Sequence, residues 1–246
     1  MIRVFYDLHL HSCLSPCGSG DMTPNNLVNM ALLLGYDIIA LTDHNSCRNV
    51  PAAVRAGAAR GLPVVPGMEL CTQEEAHVIC LFPTVEAALD FDRYVAQRIP
   101  KIRNRPEIFG CQTVMDEQDT VIGEEETLLL NAASVSVNHV HRLACRFGGT
   151  AFPAHVDRSA YSVLSSLGSL PPEADFTAAE ISAKGDVQTL LHRNPELRDL
   201  ILLKNSDAHY LENMPDPSAS VLLPEKSPEC LIAALNREIQ TEWNRG

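Results

Sequence analysis

Tyr6-Asp7-Leu8-His9-Leu10-His11-Ser12 follows directly on Ile2-Arg3-Val4-Phe5. The four earlier residues read as the start of a buried strand. Along a strand, side chains alternate between faces, so residues two apart point the same way. His9 and His11 are therefore expected to project together from one face at the strand's end. Two imidazoles held that close suit one metal ion. Taken alone, the stretch fits two ordinary surface histidines equally well, so the surrounding chain has to decide.

The next segments alternate in type. Thr23-Pro24 opens a helix that ends at Gly35, with Thr as N-cap and Pro at the first helical position. The apolar run 37–42 fits a buried parallel strand and leads into Asp43-His44. An alanine-rich helix over about 50–60, a strand over 62–69 ending in Glu69, and a strand over 75–82 follow, then a helix over about 85–97. Strands alternating with helices predict a parallel sheet or barrel with helices outside. His9, His11, Asp43, His44 and Glu69 sit at or near C-terminal strand ends, the face on which barrel enzymes gather their sites. His77 lies early in its strand, which points to a strand running the other way or a locally irregular one. Residues 100–126 break the rhythm and suit a small insertion or lid carrying a hairpin, too short for a core of its own. Alternation resumes with a helix over about 135–147 and a strand into His155. Strands follow at 178–182, at 200–206 running into Asp207 and His209, and at 219–223, before a closing helix.

Composition sets bounds. The chain has 246 residues, 46% hydrophobic and 20% charged, long enough for one α/β domain with a substantial core. No apolar run reaches the roughly 18 residues of a membrane span, and no leader peptide is expected. Eight cysteines without a CxxC pair suggest free thiols in a reducing cytoplasm. The net charge of −12 argues against long nucleic acid as a partner, although bound cations would permit an anionic substrate. The acids from Asp116 to Glu126 read as a solvated segment. No signal bears on oligomeric state.

Gathered at strand ends, His9, His11, His44, Glu69, His77, His155, Asp207 and His209 exceed the needs of a single ion, and this donor set suits Zn²⁺, Mn²⁺ or Fe²⁺. A carboxylate such as Glu69 can bridge two ions. Asp43 either orients a neighbouring histidine or caps the following segment. His139, His141 and His192, on predicted helices, are assigned surface or capping roles.

At this point the chain resembles a known family. Asp-Leu-His-Leu-His-Ser at 7–12, Thr-Asp-His-Asn at 42–45, Gly-Met-Glu at 67–69, His77, Pro-Ala-His at 153–155 and Ser-Asp-Ala-His at 206–209 are similar to the motifs of the polymerase and histidinol phosphatase (PHP) domain. The resemblance implies a single-domain α/β fold, a distorted (β/α)7 TIM-like barrel, with two or three divalent metal ions. It implies that His9, His11, Glu69 and Asp207 hold the first ion, Glu69, His77 and His155 the second, and His44 and His209 the third. Many members add an acidic residue or histidine to the third site at the position occupied here by Pro16. Either Asp21 or Cys17 substitutes, or the third site is weak or empty.

The implied activity is a metal-dependent phosphoesterase that hydrolyses a phosphomonoester or small nucleotide with a metal-activated water. Asp207 and His209 are the candidate proton-transfer residues. Arg158 either grips a phosphate by a bidentate contact or is an exposed structural arginine, and Lys184 and Arg48 are weaker candidates for the same task. The expected partner is a small phosphorylated molecule, such as a nucleotide. The alternatives are a related amidohydrolase-like metallohydrolase acting on a C–N or C–O bond, and a catalytically silent metal-binding domain.

Overall fold

Ile2–Leu10 forms strand β1 at the heart of the computed structural model, which describes residues 1–245. Thr23 caps helix α1 (Pro24–Leu34) by accepting the Asn26 amide, and Gly35 ends it in the left-handed conformation. Strand β2 (Ile38–Leu41), helix α2 (Val50–Ala58), strands β3 (Val64–Cys71) and β4 (His77–Leu81), and helix α3 (Val85–Ala96) follow. Next come a short helix α4 (Pro106–Phe109), the hairpin β5 (Thr113–Met115) and β6 (Val121–Glu124), helix α5 (Val137–Arg146) and strand β7 (Thr150–Pro153). The last part holds α6 (Val163–Leu167), β8 (Ala178–Ser182), α7 (Val187–Arg193), β9 (Ile201–Asn205), β10 (Ser220–Leu223), α8 (Pro228–Leu235) and β11 (Trp243–Asn244).

Seven strands pair in the order β11-β10-β1-β2-β3-β4-β7. Strands β1, β2 and β3 are parallel, whereas β4 runs antiparallel to both β3 and β7. Strands β8 and β9 form a separate parallel pair, tied to β1 by a bridge between Leu10 and Ala208. The result is a mixed α/β domain with a curled sheet. It does not reproduce seven regular β/α units: β4 follows β3 after a tight turn with no helix between, and β10 and β11 add antiparallel strands at one edge. The reversal of β4 places its first residue, His77, opposite Cys71 at the end of β3. His77 thereby reaches the rim that holds the C-terminal ends of β1 to β3.

Two apolar layers sandwich the sheet. Ile38, Ala40, Val65, Ile79 and Leu81 pack in one cluster, which α8 joins through Leu231 and Leu235. Their strand neighbours Ile39, Leu41, Val78 and Cys80 pack in the other, with Val28, Ala53 and Phe91 of the helices. Strand β1 changes sides within its length: Val4, Tyr6 and Leu8 belong to the first layer, and Leu10 to the second. The cause is a register shift against β2 between Asp7 and Leu10. Such an extra residue re-aims side chains near functional sites. Here it turns His9 and His11 away from the helix layer and toward Glu69.

The insertion forms the expected hairpin, but its acids are engaged. Asp116 accepts the Gln118 and Thr120 amides, and Asp119 accepts from Thr23 Oγ1 and the Asn25 amide. Glu117 pairs with Arg55 at 2.8 Å. The acids lie at the surface, as expected of a solvated segment, and add contacts that the sequence did not announce. The segment clamps residues 12–25, helped by the Asn49 amide, which donates to the Thr113 carbonyl at 3.1 Å. Gly110, at φ 96°, lies so close that a Cβ there would overlap the Pro16 carbonyl.

Candidate metal centre

Glu69 is the hub. It is 1% exposed, and its carboxylate faces five imidazoles. Oε1 lies 3.2 Å from His9 Nε2, 2.9 Å from His77 Nδ1 and 3.3 Å from His155 Nε2. Oε2 lies 3.3 Å from His11 Nε2 and 2.9 Å from His44 Nδ1. Asp207 closes the other side, with Oδ1 at 3.2 Å from His9 Nε2 and 3.1 Å from His11 Nε2. Three sets of donor atoms lie mutually within 4.8 Å: His9, His11, Glu69 and Asp207; His44, Glu69 and His77; and His11, His44 and His209.

The first set matches the expected first-ion ligands. In the second, His44 joins Glu69 and His77, while His155, on the same Glu69 oxygen as His77, falls outside that set. The third adds His11 to the expected His44 and His209. All eight residues expected as ligands thus meet at one place.

The histidines are held in defined orientations. His9 Nδ1 donates to both oxygens of Glu180 at 3.0 Å, which leaves Nε2 bare toward Glu69 and Asp207. His11 Nδ1 donates to Ser15 Oγ at 2.9 Å, and Ser15 in turn donates to Asp43 Oδ1 at 2.7 Å. Fixing the far ring nitrogen in this way sets the tautomer that a metal needs. Asp43 therefore orients a ligand histidine, but through Ser15 rather than directly. It also accepts the Ser12 amide and hydroxyl, whereas Asn49 stands at the start of α2. His155 and Asp207 both adopt positive φ, 28° and 54°, where a non-glycine backbone is strained. The His155 amide donates to Glu180 Oε1 at 3.0 Å, and the Ser206 amide donates to Asp7.

Glu180 is the residue that motif reading missed. It sits in the apolar strand β8, is 1% exposed, and also accepts from Asn205 Nδ2 at 2.7 Å. An acid within the run Ala178-Ala179-Glu180-Ile181 was the available signal, since a buried carboxylate must be satisfied.

Electrostatics follow from this crowding. Burial alone would push the His11 ring down, but the Asp207 and Glu69 carboxylates overrule it and lift the ring to about 9. His44 is likewise lifted to about 9, against its burial, chiefly by Glu69. Burial, then the neighbouring charged His11, drives His209 down to about 3. Glu69 and Asp207 are held well below the ordinary carboxylate range despite burial, because imidazolium groups surround them. Glu69 Oε2 and Asp207 Oδ1 are buried without a hydrogen bond of good geometry. Orphaned carboxylate oxygens facing imidazole nitrogens, once the rings give up their protons, are the donor set that divalent ions take.

A cavity of about 680 Å³ opens above the cluster, and Arg158, Tyr161 and Cys17 reach it. Arg158 is bound to the cluster itself, its Nη1 lying 2.6 Å from Asp207 Oδ2. Cys17, not Asp21, is the loop residue that lines the cavity with His44 and His209. Arg48 is taken up by Glu125 at 2.8 Å, outside this cavity. Lys184 lines a neighbouring groove with Arg193, which shares Asp157 and Arg158 with the main cavity. His139, His141 and His192 lie on α5 and α7, outside the cluster. His141 is buried beside Phe176 rather than at the surface.

The profile of the PHP domain matches residues 7–201. The chain is 28% identical over 177 residues to the 5'-3' exoribonuclease Rnm of Salmonella typhimurium, covering 69% of this chain and 58% of that enzyme. It is 33% identical over 73 residues to the 3',5'-nucleoside bisphosphate phosphatase of Chromobacterium violaceum, covering 30% of this chain and 25% of that enzyme. Among solved structures, endonuclease Q in complex with a 27-mer duplex with an abasic lesion at the active site superposes with a TM-score of 0.69. That match has 16% identity over 98% of this chain and 58% of the other. The chain thus spans little more than half the length of the exoribonuclease it matches.

These relatives overturn one expectation. A net charge of −12 is no ground for excluding long nucleic acid, since an exoribonuclease is among the relatives. Ions and local arginines, not the net charge, set the potential at such a site. No helix among the described residues is long and apolar enough to cross a membrane.

Proposed function

The chain belongs to the PHP domain family, and from that premise we propose that it is a metal-dependent phosphoesterase acting on the phosphate esters of nucleotides within or at the end of a nucleic-acid chain. The observation that carries this reading is the Glu69 hub, one buried carboxylate shared between two of three overlapping donor sets at the floor of an open cavity. Two or three divalent ions, of zinc, manganese or iron, are held there by His9, His11, His44, Glu69, His77, His155, Asp207 and His209. When bound, such ions lower the pKa of water and offset charge on phosphoryl oxygens.

The chain's own residues do the rest. Glu180 and Ser15 hold the His9 and His11 rings in register. His209, neutral by virtue of its depressed pKa, donates its Nδ1–H to the Asp207 carbonyl at 3.0 Å, which leaves the Nε2 lone pair free to hold an ion or to take a proton from water. Arg158, 44% exposed, releases one face of its contact with Asp207 to a non-bridging phosphate oxygen. The groove with Lys184 and Arg193 continues from the same mouth and gives a strand's next phosphates a cationic path. The exoribonuclease and bisphosphate phosphatase relatives support a nucleotidic substrate. Eight free cysteines support a cytoplasmic setting. No lysine lines the main cavity, which weighs against a carboxylated-lysine amidohydrolase site.

The test is hydrolysis of 5'-phosphorylated RNA and DNA oligonucleotides with Mn²⁺, Zn²⁺, Fe²⁺ or chelator. Metal-dependent release of mononucleotides or phosphate is expected. Absence of turnover with every metal, while the ions are bound, would overturn the reading.

A further inference from the structure

Tyr161 is a large aromatic residue that neither burial nor backbone preference explains. It is 52% exposed, at the mouth of the main cavity. Its φ of 53° lies in the left-handed region, which a bulky residue rarely adopts. The conformation is held from several directions. The Tyr161 carbonyl accepts the His77 amide at 2.9 Å. The next residue, Ser162, caps α6 and donates to the Arg158 carbonyl at 2.9 Å. One ring face lies on the His77 imidazole, with centroids 4.8 Å apart and planes 25° from parallel. His77 Nδ1 is 2.9 Å from Glu69 Oε1, so the stacked pair stands directly beside the hub. Ser159 and Ala160 are small and leave room along the same wall.

We propose that Tyr161 is the nucleobase platform of this site: its exposed face stacks on the base of the nucleotide whose phosphate lies at the Glu69 cluster. The site then favours nucleosidic phosphate esters over plain ones, and it does so with little regard to sequence, because every base offers a π-face. A rigid, half-exposed ring one residue removed from the reacting phosphate is what such a role requires. The strained backbone fixes the ring before the substrate arrives, so little ordering is lost on binding. The proposal rests on the phosphoesterase reading and specifies the part of the substrate that the ions do not touch.

The competing role is a wall that merely steadies His77. The experiment compares two matched 5'-phosphorylated oligonucleotides, one with a terminal base and one abasic at that position, in the metal-loaded full chain. The readout is the ratio of their kcat/KM values in the wild type, Tyr161→Phe and Tyr161→Ala. Stacking predicts that Tyr161→Ala lowers the preference for the base-bearing substrate about 10–100-fold, carried by KM, while Tyr161→Phe preserves it. A wall for His77 predicts that both substrates slow together and that the ratio stays at its wild-type value, which would overturn the proposal. Should the wild type hydrolyse neither substrate, the phosphoesterase reading fails by itself. Fluorescence anisotropy of the two labelled oligonucleotides then decides: a base-dependent affinity lost in Tyr161→Ala supports the platform, and equal affinities reject it.

Discussion

The strand-borne and loop-borne sides of the centre are built by different means. His9, Glu69 and His77 sit on β1, β3 and β4, where backbone ladders fix each Cα and alternation fixes each direction. On the loop side, Ser15, Cys17 and the turn at Pro16 owe their placement to a hairpin about a hundred residues away in sequence. The strand side presents His9 and Glu69 of the first donor set, completed by His11 and Asp207 just beyond the ends of β1 and β9, and the His9 and His11 rings are each braced by a buried partner. The loop side offers Pro16 and, at the cavity, Cys17. Backbone ladders thus place His9, Glu69 and His77, and a clamped loop places Ser15 and Cys17.

The largest effect should come from breaking the strand side. A His9→Ala, Asp207→Ala double variant should lose bound metal, and turnover should fall by more than the roughly 10–100-fold typical of outer-shell losses. Retained activity in a metal-titrated assay would reject the ligand assignment. Glu180→Gln removes the brace under His9 while keeping its shape. Metal affinity should weaken about 10–100-fold with circular dichroism unchanged. Ser15→Ala, which cuts the relay from Asp43 to His11, should fall at the low end of that range. If Ser15→Ala exceeded Glu180→Gln in the same titration, the loop would be the stiffer support and the comparison would reverse.

A change confined to the loop side should behave differently. Gly110→Ala forces a Cβ onto the Pro16 carbonyl at a positive φ and should destabilise the chain by about 1–3 kcal/mol. Metal held by the first donor set should survive, so urea midpoints should shift while tight metal content does not. Loss of all metal in that variant would show that the two sides fold as one unit.

The pH dependence separates protons from ions. In the metal-free chain, His11 and His44 are lifted from 6.5 to about 9, so they hold protons more tightly folded than unfolded. Their contribution is complete below about pH 6.5 and is lost as the pH rises through about 9. Divalent ions must displace these protons, so ion binding strengthens over the same interval. The gap in Tm between Mn²⁺-loaded and chelator-treated protein should therefore widen from about pH 6.5 to 9. A gap that narrows would contradict the carboxylate–imidazole coupling.

Much of the strand side was legible in the sequence. His-x-His shares a face on any strand, and the early position of His77 announced a reversed strand. The bulge after Asp7 was not legible, because it depends on register against β2, a property of two segments. Glu180 escaped because its local signal, an acid inside an apolar run, does not say which residue it braces. The acids of 116–126 do lie at the surface, but their partners Thr23, Asn25 and Arg55 were not legible because they lie far away in sequence. Arg158 was expected either to grip a phosphate or to be an exposed structural arginine, and its contact with Asp207 arises only when the loops after β7 and β9 come together. Net charge misled about partners because it averages the whole surface and says nothing of the charges at one site.

The central claim is that Glu69 is shared between ions held by the strand side. Elemental analysis after exhaustive dialysis against micromolar Mn²⁺ or Zn²⁺ tests it directly, in the wild type and in Glu69→Gln. The account predicts at least two ions per wild-type chain and the loss of more than one on removing that single carboxylate charge. A wild type with no tightly bound ion, or a Glu69→Gln chain with its full complement, would contradict it.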